Sequence, residues 1–559
     1  MPWPGDAEGP DDEPTDARPD GKDARPAKDA KDVKGSSVAE LPTGPEYDVQ
    51  ENTEHKIGAT ATMTWVYAGP NDETPKLGYL RAGAVVGRGE KPVASTKRCK
   101  GGWYRVAPQG YVCAGKRATI DLADPVVVDS WKPPARGEPL PYRYGRSKEE
   151  PPHLYVKAPT LKEQEKAEGA RLAEHLRANP KASVARTAGE VLELPEFLAN
   201  GQFLPKVFGG NAGLRVGAHE GKASTSNTFA FQSVHEIDGR MFGLSTNLNL
   251  IALDRVNVAK VTPIHGGPVA DLPAVLVTSF GAQKYTLDDN GVPKKDGTLE
   301  RFATVSLTGK NKGELWESTE GYWISTAATR LFRRRDDWPS FAKGEKAAKK
   351  WVDVSIRDQT LIAYEGQRAV YIARVSTGLG ELGDPEKTRA TKRGVFTIKA
   401  KHLTATMTGE EAIDNYELAD VPYVQYFEGG YALHAAFWHE DFGRVRSHGC
   451  VNLTPTDAAW IFEWTDPQVP KGWHGMQANG EGSIVYVHPL PSASRRGSRS
   501  SATSTRAWQS MIPRASSQRS STCSVWACAK SRLTCSAQGN FYTSITHQLH
   551  TNYTSTPQS

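Results

Sequence analysis

Alternation between apolar and polar positions is clearest in the last third of the chain. The stretch WVDVSIRDQTLIAYEGQRAVYIARVSTG, which begins at Trp351, contains three alternating runs separated by two short turns. A period of two predicts β-strands, and the stretches GVFTIKAKH and GSIVYVHP continue the pattern. A short helix is predicted where Thr454 can serve as N-cap and Pro455 occupies the first helical position. Residues 349–489 are therefore expected to form an antiparallel sheet or β-sandwich with small helices.

The preceding residues, 200–345, also carry strand patterns, with AVLVTSF and ELWESTEGYWIST as clear examples. They predict a mostly β accessory domain. The aromatic hairpin that contains Trp316 and Trp323 parallels an earlier one that contains Trp103, so this domain can be interpreted as a degenerate repeat of the earlier unit. The alternative is that aromatic hairpins look alike without being repeats.

That earlier unit, residues 56–122, shows short predicted strands broken by Gly, Pro and Asn, and a hairpin over CKGGWYRVAPQGYVCAG. Cys99 and Cys113 flank this hairpin and are close enough in sequence for a disulfide to join its ends. Two separate buried thiols are the alternative interpretation.

The remaining segments contain few large apolar residues. Residues 123–199 predict a Pro-rich extended linker followed by one surface helix, with Thr160 as N-cap and a stop at Asn179. Residues 1–55 are rich in Asp, Lys, Pro, Gly and Ala, and residues 490–559 are rich in Ser. Neither end can bury enough apolar surface to offset the entropy of ordering, so both are predicted to be disordered.

Composition limits the classes of function. The net charge is +5, but residues 491–559 hold eight Lys and Arg and no Asp or Glu, so the rest of the chain carries a net −3. This balance argues against nucleic-acid binding by the folded part. No run of about 18 apolar residues predicts a transmembrane segment. The first residues contain no apolar core of a secretory signal.

The stretch FGRVRSHGCVNL carries the candidate chemistry, because it places Ser447, His448, Gly449 and Cys450 in four consecutive positions. Cysteine catalysis needs a thiol that ionises, a histidine base and N–H donors for an oxyanion. His434 lies on the predicted strand YALHAAF, sixteen residues before the cysteine, and a hairpin-like return can bring the two together. Gly449 permits the tight turn that aims backbone N–H groups at one point.

Two other interpretations fit these residues when they are taken alone. His434, His439, His448 and Cys450 are four candidate zinc ligands. A purely structural interpretation is a buried cysteine among solvated histidines.

The longer stretch HAAFWHEDFGRVRSHGCVNL resembles the signature of the L,D-transpeptidase catalytic domain (YkuD-like): a histidine, a spacer of about a dozen residues, Ser/Thr-His-Gly-Cys, an apolar residue, and Asn or Arg. The stretch TKRGVF is similar to the family's Thr-Pro-x-Gly-x-Phe, with Lys392 in place of the proline. The resemblance covers about 140 residues and argues against zinc. Residues 56–122 resemble a bacterial SH3-like β-barrel. The expected fold is mainly β: an SH3-like barrel, a further β region and an L,D-transpeptidase-type sandwich with short helices.

The resemblance implies roles for the motif residues. Cys450 is the nucleophile, and His434 is the general base and then the general acid. The backbone carbonyl of Ala435 orients His434. The N–H groups of Gly449 and Cys450, helped by His448, form the oxyanion site.

Four other residues receive lesser roles. Ser447 and Asn452 are expected to hold the loop. Tyr431 is assigned to ordinary packing rather than to contact with a stem peptide. His439 is expected to be a solvent-facing loop residue. No metal and no cofactor are expected.

The resemblance implies a peptidoglycan L,D-transpeptidase. The cysteine takes the acyl group from a tetrapeptide stem and passes it to an amine on a second stem, or to a protein lysine. The alternatives are an L,D-carboxypeptidase and an inactive wall-binding module. The expected partners are peptidoglycan stem peptides. The expected location is the periplasm or cell envelope, and because no export signal is visible, a truncated N-terminus is expected.

Overall fold

The computed structural model describes residues 51–489, with the exception of 52, 130–131, 195, 200–202, 206, 210–216, 345–347 and 411–414. The disorder predicted for the two ends of the chain therefore concerns mainly residues outside the described part. The described part is mainly β, as the sequence predicts, and its helices are few and short. Within it, no helix has the length and apolar character that a bilayer crossing requires.

The first region contains eight short strands: β1 (Lys56–Ala59), β2 (Thr64–Tyr67), β3 (Lys76–Leu80), β4 (Val85–Gly87), β5 (Ala94–Thr96), β6 (Cys99–Arg105), β7 (Tyr111–Cys113) and β8 (Ala118–Thr119). All pairs among them are antiparallel, and β1 lies between β4 and β8. Cys99 and Cys113 form a disulfide across the β6–β7 hairpin, with their Cα atoms 5.8 Å apart. The SH3-like assignment of this region stays a prediction.

The next region is more ordered than the extended linker that the sequence predicts. It contains α1 (Pro125–Asp129), β9 (Arg143–Ser147), β10 (His153–Tyr155), α2 (Leu161–Glu168), α3 (Leu172–Ala178), α4 (Lys181–Ala188) and α5 (Glu196–Ala199). Thr160 caps α2 through a capping box. The single predicted helix is wrong, because Gly169 takes a φ of +78° and ends α2. A second helix then runs to Asn179.

The β-rich accessory region begins with β11 (His219–Lys222), β12 (Thr228–Ile237), β13 (Arg240–Ser245), β14 (Leu250–Ala252), β15 (Val256–Val258) and β16 (Gly267–Pro268). It continues with β17 (Ala274–Val277), β18 (Ala282–Leu287), β19 (Pro293–Leu299), β20 (Thr304–Lys312), β21 (Leu315–Ser318), β22 (Trp323–Ser325) and β23 (Thr329–Phe332). The last seven form one antiparallel sheet in the order β19-β18-β22-β21-β20-β17-β23. The β21–β22 pair is the aromatic hairpin that the sequence predicts.

The last region contains β24 (Lys350–Ser355), β25 (Thr360–Glu365), β26 (Arg368–Arg374), β27 (Gly394–Thr397), β28 (Ala400–Glu410), β29 (Asn415–Glu428), β30 (Tyr431–Ala435), β31 (Val451–Leu453), α6 (Pro455–Trp464), β32 (Gly475–Gln477) and β33 (Ile484–His488). One sheet has the order β16-β26-β25-β24-β33-β27. The other joins β32, β28, β29, β30 and β31. Contrary to the antiparallel expectation, β24–β33 and β30–β31 are parallel pairs, because a long segment returns each strand to the edge it joins.

A shared apolar core lies between these two sheets. Val352 and Leu361 from the first sheet and Phe427 and Leu433 from the second belong to one buried cluster, which α6 completes through Ile461. The outer face of the first sheet packs on the accessory region instead. Both faces of this sheet are therefore buried, so that even Asp353 and Ser355, at polar positions of the alternation, are buried on β24.

The long hairpin β28–β29 is held by residues from two other regions. Asp420 on β29 is buried and forms an ion pair with Arg81, which follows β3. Thr246 of the accessory region also donates to this carboxylate, and Thr404 donates at 2.6 Å. Burial opposes ionisation, but the guanidinium and the hydroxyls outweigh it and lower the pKa of Asp420 below its usual value. Two stretches of sequence outside the hairpin thus fix it through one carboxylate.

Candidate active site

Two adjacent parallel strands bring the candidate residues together. His434 on β30 lies directly opposite Asn452 on β31. Side chains of directly paired residues project from the same face of a sheet, and residues two apart on an extended chain share a face. Cys450 directly precedes β31 and packs on the cluster that contains Ala432, which lies two residues before His434 on β30, so the thiol and the imidazole are expected on one face. The Trp438 indole and Cys450 also pack on the same apolar cluster.

The thiol of Cys450 is neutral at rest. It is the free cysteine among the described residues, and it is half-buried. Burial raises its pKa to about 11, with a smaller opposing effect from the backbone of Ala432. Its sulfur lies 3.6 Å from the carbonyl oxygen of Gly430, to which the thiol donates. A nucleophilic thiolate must therefore be generated during the reaction rather than stored beforehand.

The imidazole of His434 has one defined tautomer. Its Nδ1 lies 2.9 Å from the carbonyl oxygen of Ala435. A carbonyl only accepts, so Nδ1 carries the proton and Nε2 keeps its lone pair. Burial lowers the pKa of His434 to about 4, and the carbonyl opposes this only in part. The side chain is thus a neutral base at physiological pH.

The loop that carries the cysteine is braced from within. The hydroxyl of Ser447 donates to the carbonyl of Cys450 at 2.5 Å and accepts from the N–H of Gly449 at 3.1 Å. These two contacts join both ends of the Gly449–Cys450 peptide to one hydroxyl, and the loop-holding role of Ser447 stays a prediction. The N–H of Gly449 donates to the Ser447 hydroxyl in this structure, and its expected role at the oxyanion stays a prediction.

Gly449 is required at its position for two structural reasons. Its φ is +131°, a conformation that residues with a side chain rarely adopt. A Cβ atom there would also lie 2.8 Å from Cε1 of Tyr431. The ring of Tyr431 therefore packs directly over the glycine that precedes the cysteine, in agreement with its assignment to packing.

His439 is wrongly assigned by the sequence analysis to a solvent-facing loop. Its ring is half-buried, and its Nε2 lies 2.9 Å from the side-chain amide of Asn452. Its Nδ1 accepts from the N–H of Asp441 at 3.2 Å. Burial lowers its pKa to about 4. His439 is half-buried because β31 places Asn452 against it, although the two residues are 13 positions apart in the chain.

His448 points away from the buried part of the site. Its side chain is exposed, and its ring stacks on Tyr416 of β29, with centroids 5.5 Å apart and an angle of 17°. No local sequence pattern indicates Tyr416 as a partner of His448, because it lies 32 residues earlier in the chain. This contact joins the cysteine loop to the tip region of the β28–β29 hairpin.

A small cavity adjoins the histidine side of the site. Its volume is about 250 Å³, and it is lined by Lys260, Thr262, Phe437, Trp438, His439 and Glu440. The indole of Trp438 stacks near His434, with ring centroids 5.9 Å apart. Nothing in the sequence indicates that Lys260 and Thr262 lie beside this site. The other four lining residues belong to the aromatic and charged run FWHED, which directly follows the His434 strand and could have been recognised.

The described residues contain no group of three or more His, Cys, Asp or Glu side chains arranged to hold a metal ion. The four candidate zinc ligands are distributed differently: His448 stacks on Tyr416, whereas His439 contacts Asn452. The donors that the zinc interpretation requires do not converge.

A family model described as the L,D-transpeptidase catalytic domain (YkuD) matches residues 349–487, which include the two sheets, α6 and the cysteine loop. Residues 349–487 are an L,D-transpeptidase catalytic domain. A curated relative, the putative L,D-transpeptidase YciB of Bacillus subtilis, is 27% identical over 157 residues, which cover 23% of this chain and 69% of the relative.

Solved L,D-transpeptidases are also similar to this chain. A mutant L,D-transpeptidase from Enterococcus faecium is 20% identical with a TM-score of 0.20, and the match covers 26% of this chain. The chain spans 54% of that protein's length. An L,D-transpeptidase from Mycobacterium smegmatis is 18% identical with a TM-score of 0.20, and the match covers 41% of this chain and 97% of that one.

The L,D-transpeptidase domain departs from its family's pattern at Lys392. The side chain forms an ion pair with Glu428 at 3.1 Å, and Lys399 binds the same carboxylate at 2.6 Å. The preceding Thr391 is fully buried and accepts from the N–H of Gly378 at 2.9 Å. Lysine in place of proline at position 392 thus adds a surface contact to Glu428 on β29. The buried side chain of Thr391 still anchors the loop that contains both residues.

Proposed function

We propose that this protein is a cysteine L,D-transpeptidase that acts on peptidoglycan stem peptides. The observation that carries the proposal is the pairing of β30 with β31. It supports a shared face for Cys450 and for His434, whose free Nε2 can accept a proton. The family of residues 349–487 supports peptidoglycan as the substrate.

In the proposed first half-reaction, the Cys450 sulfur attacks the carbonyl carbon of the diamino-acid residue of a tetrapeptide stem. Nε2 of His434 takes the thiol proton as the C–S bond forms. The bond from that carbon to the nitrogen of the terminal D-alanine then breaks. His434 returns the proton to the departing amine, which leaves a thioester on the enzyme.

In the second half-reaction, an amine of the acceptor attacks the thioester carbon, and His434 removes the proton from the attacking nitrogen. The C–S bond breaks, and the sulfur recovers the proton as a thiol. The product is a new amide bond, and the free enzyme is restored. Water in place of the amine would give an L,D-carboxypeptidase.

For the oxyanion that forms in both half-reactions, we propose the N–H of Cys450 as the donor. Ser447 supports this role indirectly, because its hydroxyl holds the carbonyl of Cys450 and the N–H of Gly449 and so sets the direction of the peptide between them. Oxyanion donors of this kind contribute several kcal/mol to the stabilisation of a transition state, typically about 3.

The proposed location is the cell envelope. The substrate of the family lies outside the cytoplasm, and the disulfide between Cys99 and Cys113 fits an oxidising compartment. Fractionation of the native host with an antibody against the protein tests this proposal. Recovery of the protein in the cytosolic fraction alone, with this disulfide reduced, would contradict it.

Intact-protein mass spectrometry after incubation with a carbapenem tests the reaction. The strained lactam carbonyl of such a compound is an acyl donor for an activated thiol. We expect one adduct on the wild type, none on Cys450→Ala, and a strongly slowed adduct on His434→Ala. The variant His439→Ala is the matched control, because its histidine also contacts the site but is not the proposed base.

A tetrapeptide stem with an amine acceptor then separates the activities. Release of D-alanine together with a cross-linked product supports transfer, whereas release without that product supports the carboxypeptidase. A folded and reduced wild type that gives neither an adduct nor D-alanine would overturn the proposal in favour of a wall-binding module.

A further inference from the structure

Four arginines from the accessory region and the catalytic domain lie close together. Arg374 ends β26, and Arg330 lies on β23. Arg301 lies between β19 and β20, and Arg444 lies in the loop between β30 and β31. The pKa of Arg374 is below its usual value, because burial disfavours its charge and because the other three arginines are near enough to repel it. These residues form one concentration of positive charge, which we call the arginine cluster.

The guanidinium of Arg374 is half-buried and has no anionic partner. A Cβ atom on Gly443 would overlap this guanidinium, so the side chain packs directly against the loop that leads to Cys450. Within the ranges that the structure describes, the guanidinium forms no hydrogen bond and no ion pair. A charge that loses hydration without gaining a partner is costly, and buried charges in proteins are normally paired. The position of Arg374 thus calls for a counter-ion that the described residues do not supply.

The carboxylates of this neighbourhood are already paired. Asp358 forms an ion pair with Arg330 at 2.9 Å, and Asp441 forms one with Arg446 at 3.5 Å. After these pairs, the cluster keeps three arginines that have no ion pair in the described part of the chain: Arg301, Arg374 and Arg444.

Arg301 is held in place by packing rather than by an acid. Its Cζ lies 4.5 Å from the ring centroid of Phe280 and 4.5 Å from that of Phe302. Its Nε donates to the carbonyl of Thr278 at 3.0 Å. These contacts engage the faces of the guanidinium and one N–H, and they leave its remaining N–H groups for a ligand. The contact also gives a role to Phe280, whose side chain is 82% exposed.

We propose that the arginine cluster binds a phosphate group. Guanidinium groups bind phosphate and carboxylate through paired N–H···O bonds. A phosphate group carries about 1.5–2 negative charges at pH 7 and offers three strong acceptor oxygens, so it matches three unpaired arginines better than a single carboxylate does. The group can be inorganic phosphate or a phosphate of an anionic polymer, because both present the same kind of oxygen.

The proposed site adjoins the base of the cysteine loop. The N–H of Gly443 donates to the carbonyl of Val375 at 2.8 Å, directly after Arg374 in the chain. A phosphate between Arg374 and Arg444 therefore joins the end of β26 to this loop. The inference is independent of the proposed transpeptidase activity, because none of these arginines takes part in that reaction.

Thermal unfolding of the full chain at constant ionic strength tests the proposal. Sodium phosphate replaces sodium chloride in the titration, because salt screening alone changes the interactions of surface charges. A ligand that binds only the folded state raises the Tm with a concentration dependence that gives its Kd. For Arg374→Ala we expect the Kd of phosphate to rise about tenfold or more, as for the loss of a charged hydrogen bond. For Arg444→Ala, whose side chain is exposed, we expect a rise of about 2–5-fold.

Two further variants make the test specific. Asp358→Asn frees Arg330 from its ion pair and removes a negative charge, so it should lower the Kd of phosphate, a gain that a merely structural role would not produce. Arg98→Ala removes an arginine that is 75% exposed and pairs with Asp72, and it should leave the Kd unchanged.

A second probe, a glycerol phosphodiester oligomer, separates the two sources of phosphate. Tighter binding per phosphate than for the inorganic ion supports a polymer as the ligand, and weaker binding supports the free ion. No rise in Tm with either probe would overturn the proposal. A Kd that is unchanged in both Arg374→Ala and Arg444→Ala, or that rises equally in Arg98→Ala, would also overturn it.

Discussion

The resting protonation state of Cys450 leads to a prediction that distinguishes two kinds of cysteine enzyme. In one kind, a thiolate and an imidazolium are already formed before the substrate binds. Here burial raises the pKa of the thiol to about 11 and lowers that of His434 to about 4, so both groups are neutral between these values. The proton is then transferred in the transition state of acylation.

The expected magnitude follows from the thiol. An ordinary cysteine has a pKa of 9.0, and Cys450 lies about two higher. The thiolate fraction at pH 7 is then about 100-fold smaller than for an ordinary cysteine, because each pKa step changes it tenfold. Its alkylation by iodoacetamide, which reacts with the thiolate, should rise about tenfold per pH step from pH 7 to 10 without a plateau.

Two probes of the same thiol measure this behaviour by intact mass. Alkylation by iodoacetamide should follow the rising profile, whereas acylation by a carbapenem should be flat between pH 6 and 9, because His434 is already neutral there and acts as the base. His434→Ala should slow carbapenem acylation by about 10²–10⁴ and leave the shape of the alkylation profile unchanged. A plateau in alkylation below pH 8 would refute a neutral resting pair and show a preformed thiolate.

Three further predictions concern the loop, the clamped hairpin and acid stability. Gly449→Ala should slow carbapenem acylation about 10–100-fold through backbone strain and a clash with a tyrosine ring, whereas Gly480→Ala, with a φ of +96° but open surroundings, should not. Arg81→Ala leaves its buried carboxylate partner without a counter-ion and should lower the free energy of unfolding in urea by about 3–5 kcal/mol, against less than about 1 for Arg98→Ala, whose side chain is 75% exposed. Burial lowers the pKa of His402 to about 4, below its unfolded value, so the unfolded state binds more protons and stability falls as the pH drops from about 6.5 to 4. His402→Gln should therefore reduce the loss of unfolding free energy across this window by up to about 3 kcal/mol, and identical losses in both proteins would contradict the reasoning.

Local patterns were sufficient for the elements of the catalytic domain. Strand alternation predicted β24, β25 and β26, and the Thr454-Pro455 pair predicted the start of α6. These features depend on residues within a few positions of one another. The single helix predicted after Thr160 was wrong, although the signal that ends it is also local. Gly169 takes a positive φ and stops α2, whereas the residues around it have a composition that favours one continuous helix.

Contacts between distant segments could not be predicted from local sequence patterns. His439 was assigned to solvent because nothing near it in the chain predicts Asn452 as its partner. The contact between the N–H of Gly449 and the hydroxyl of Ser447 is recognised only once the loop geometry is known. Lys260 belongs to a region with no visible relation to the catalytic motif.

The sequence by itself determined which groups can react: it contains a thiol, a histidine and a glycine at the spacing of the L,D-transpeptidase motif. The tertiary structure decided the protonation states of these groups and which distant segments lie beside them. Burial in the folded chain raises the pKa of Cys450 and lowers that of His434, since the energy of a charge depends on the surrounding dielectric rather than on residue type. The packing of Phe437 on Tyr144 likewise joins the segment after β30 to β9, which lies far earlier in the chain. Both effects arise from residues that are far apart in the chain and adjacent only after folding.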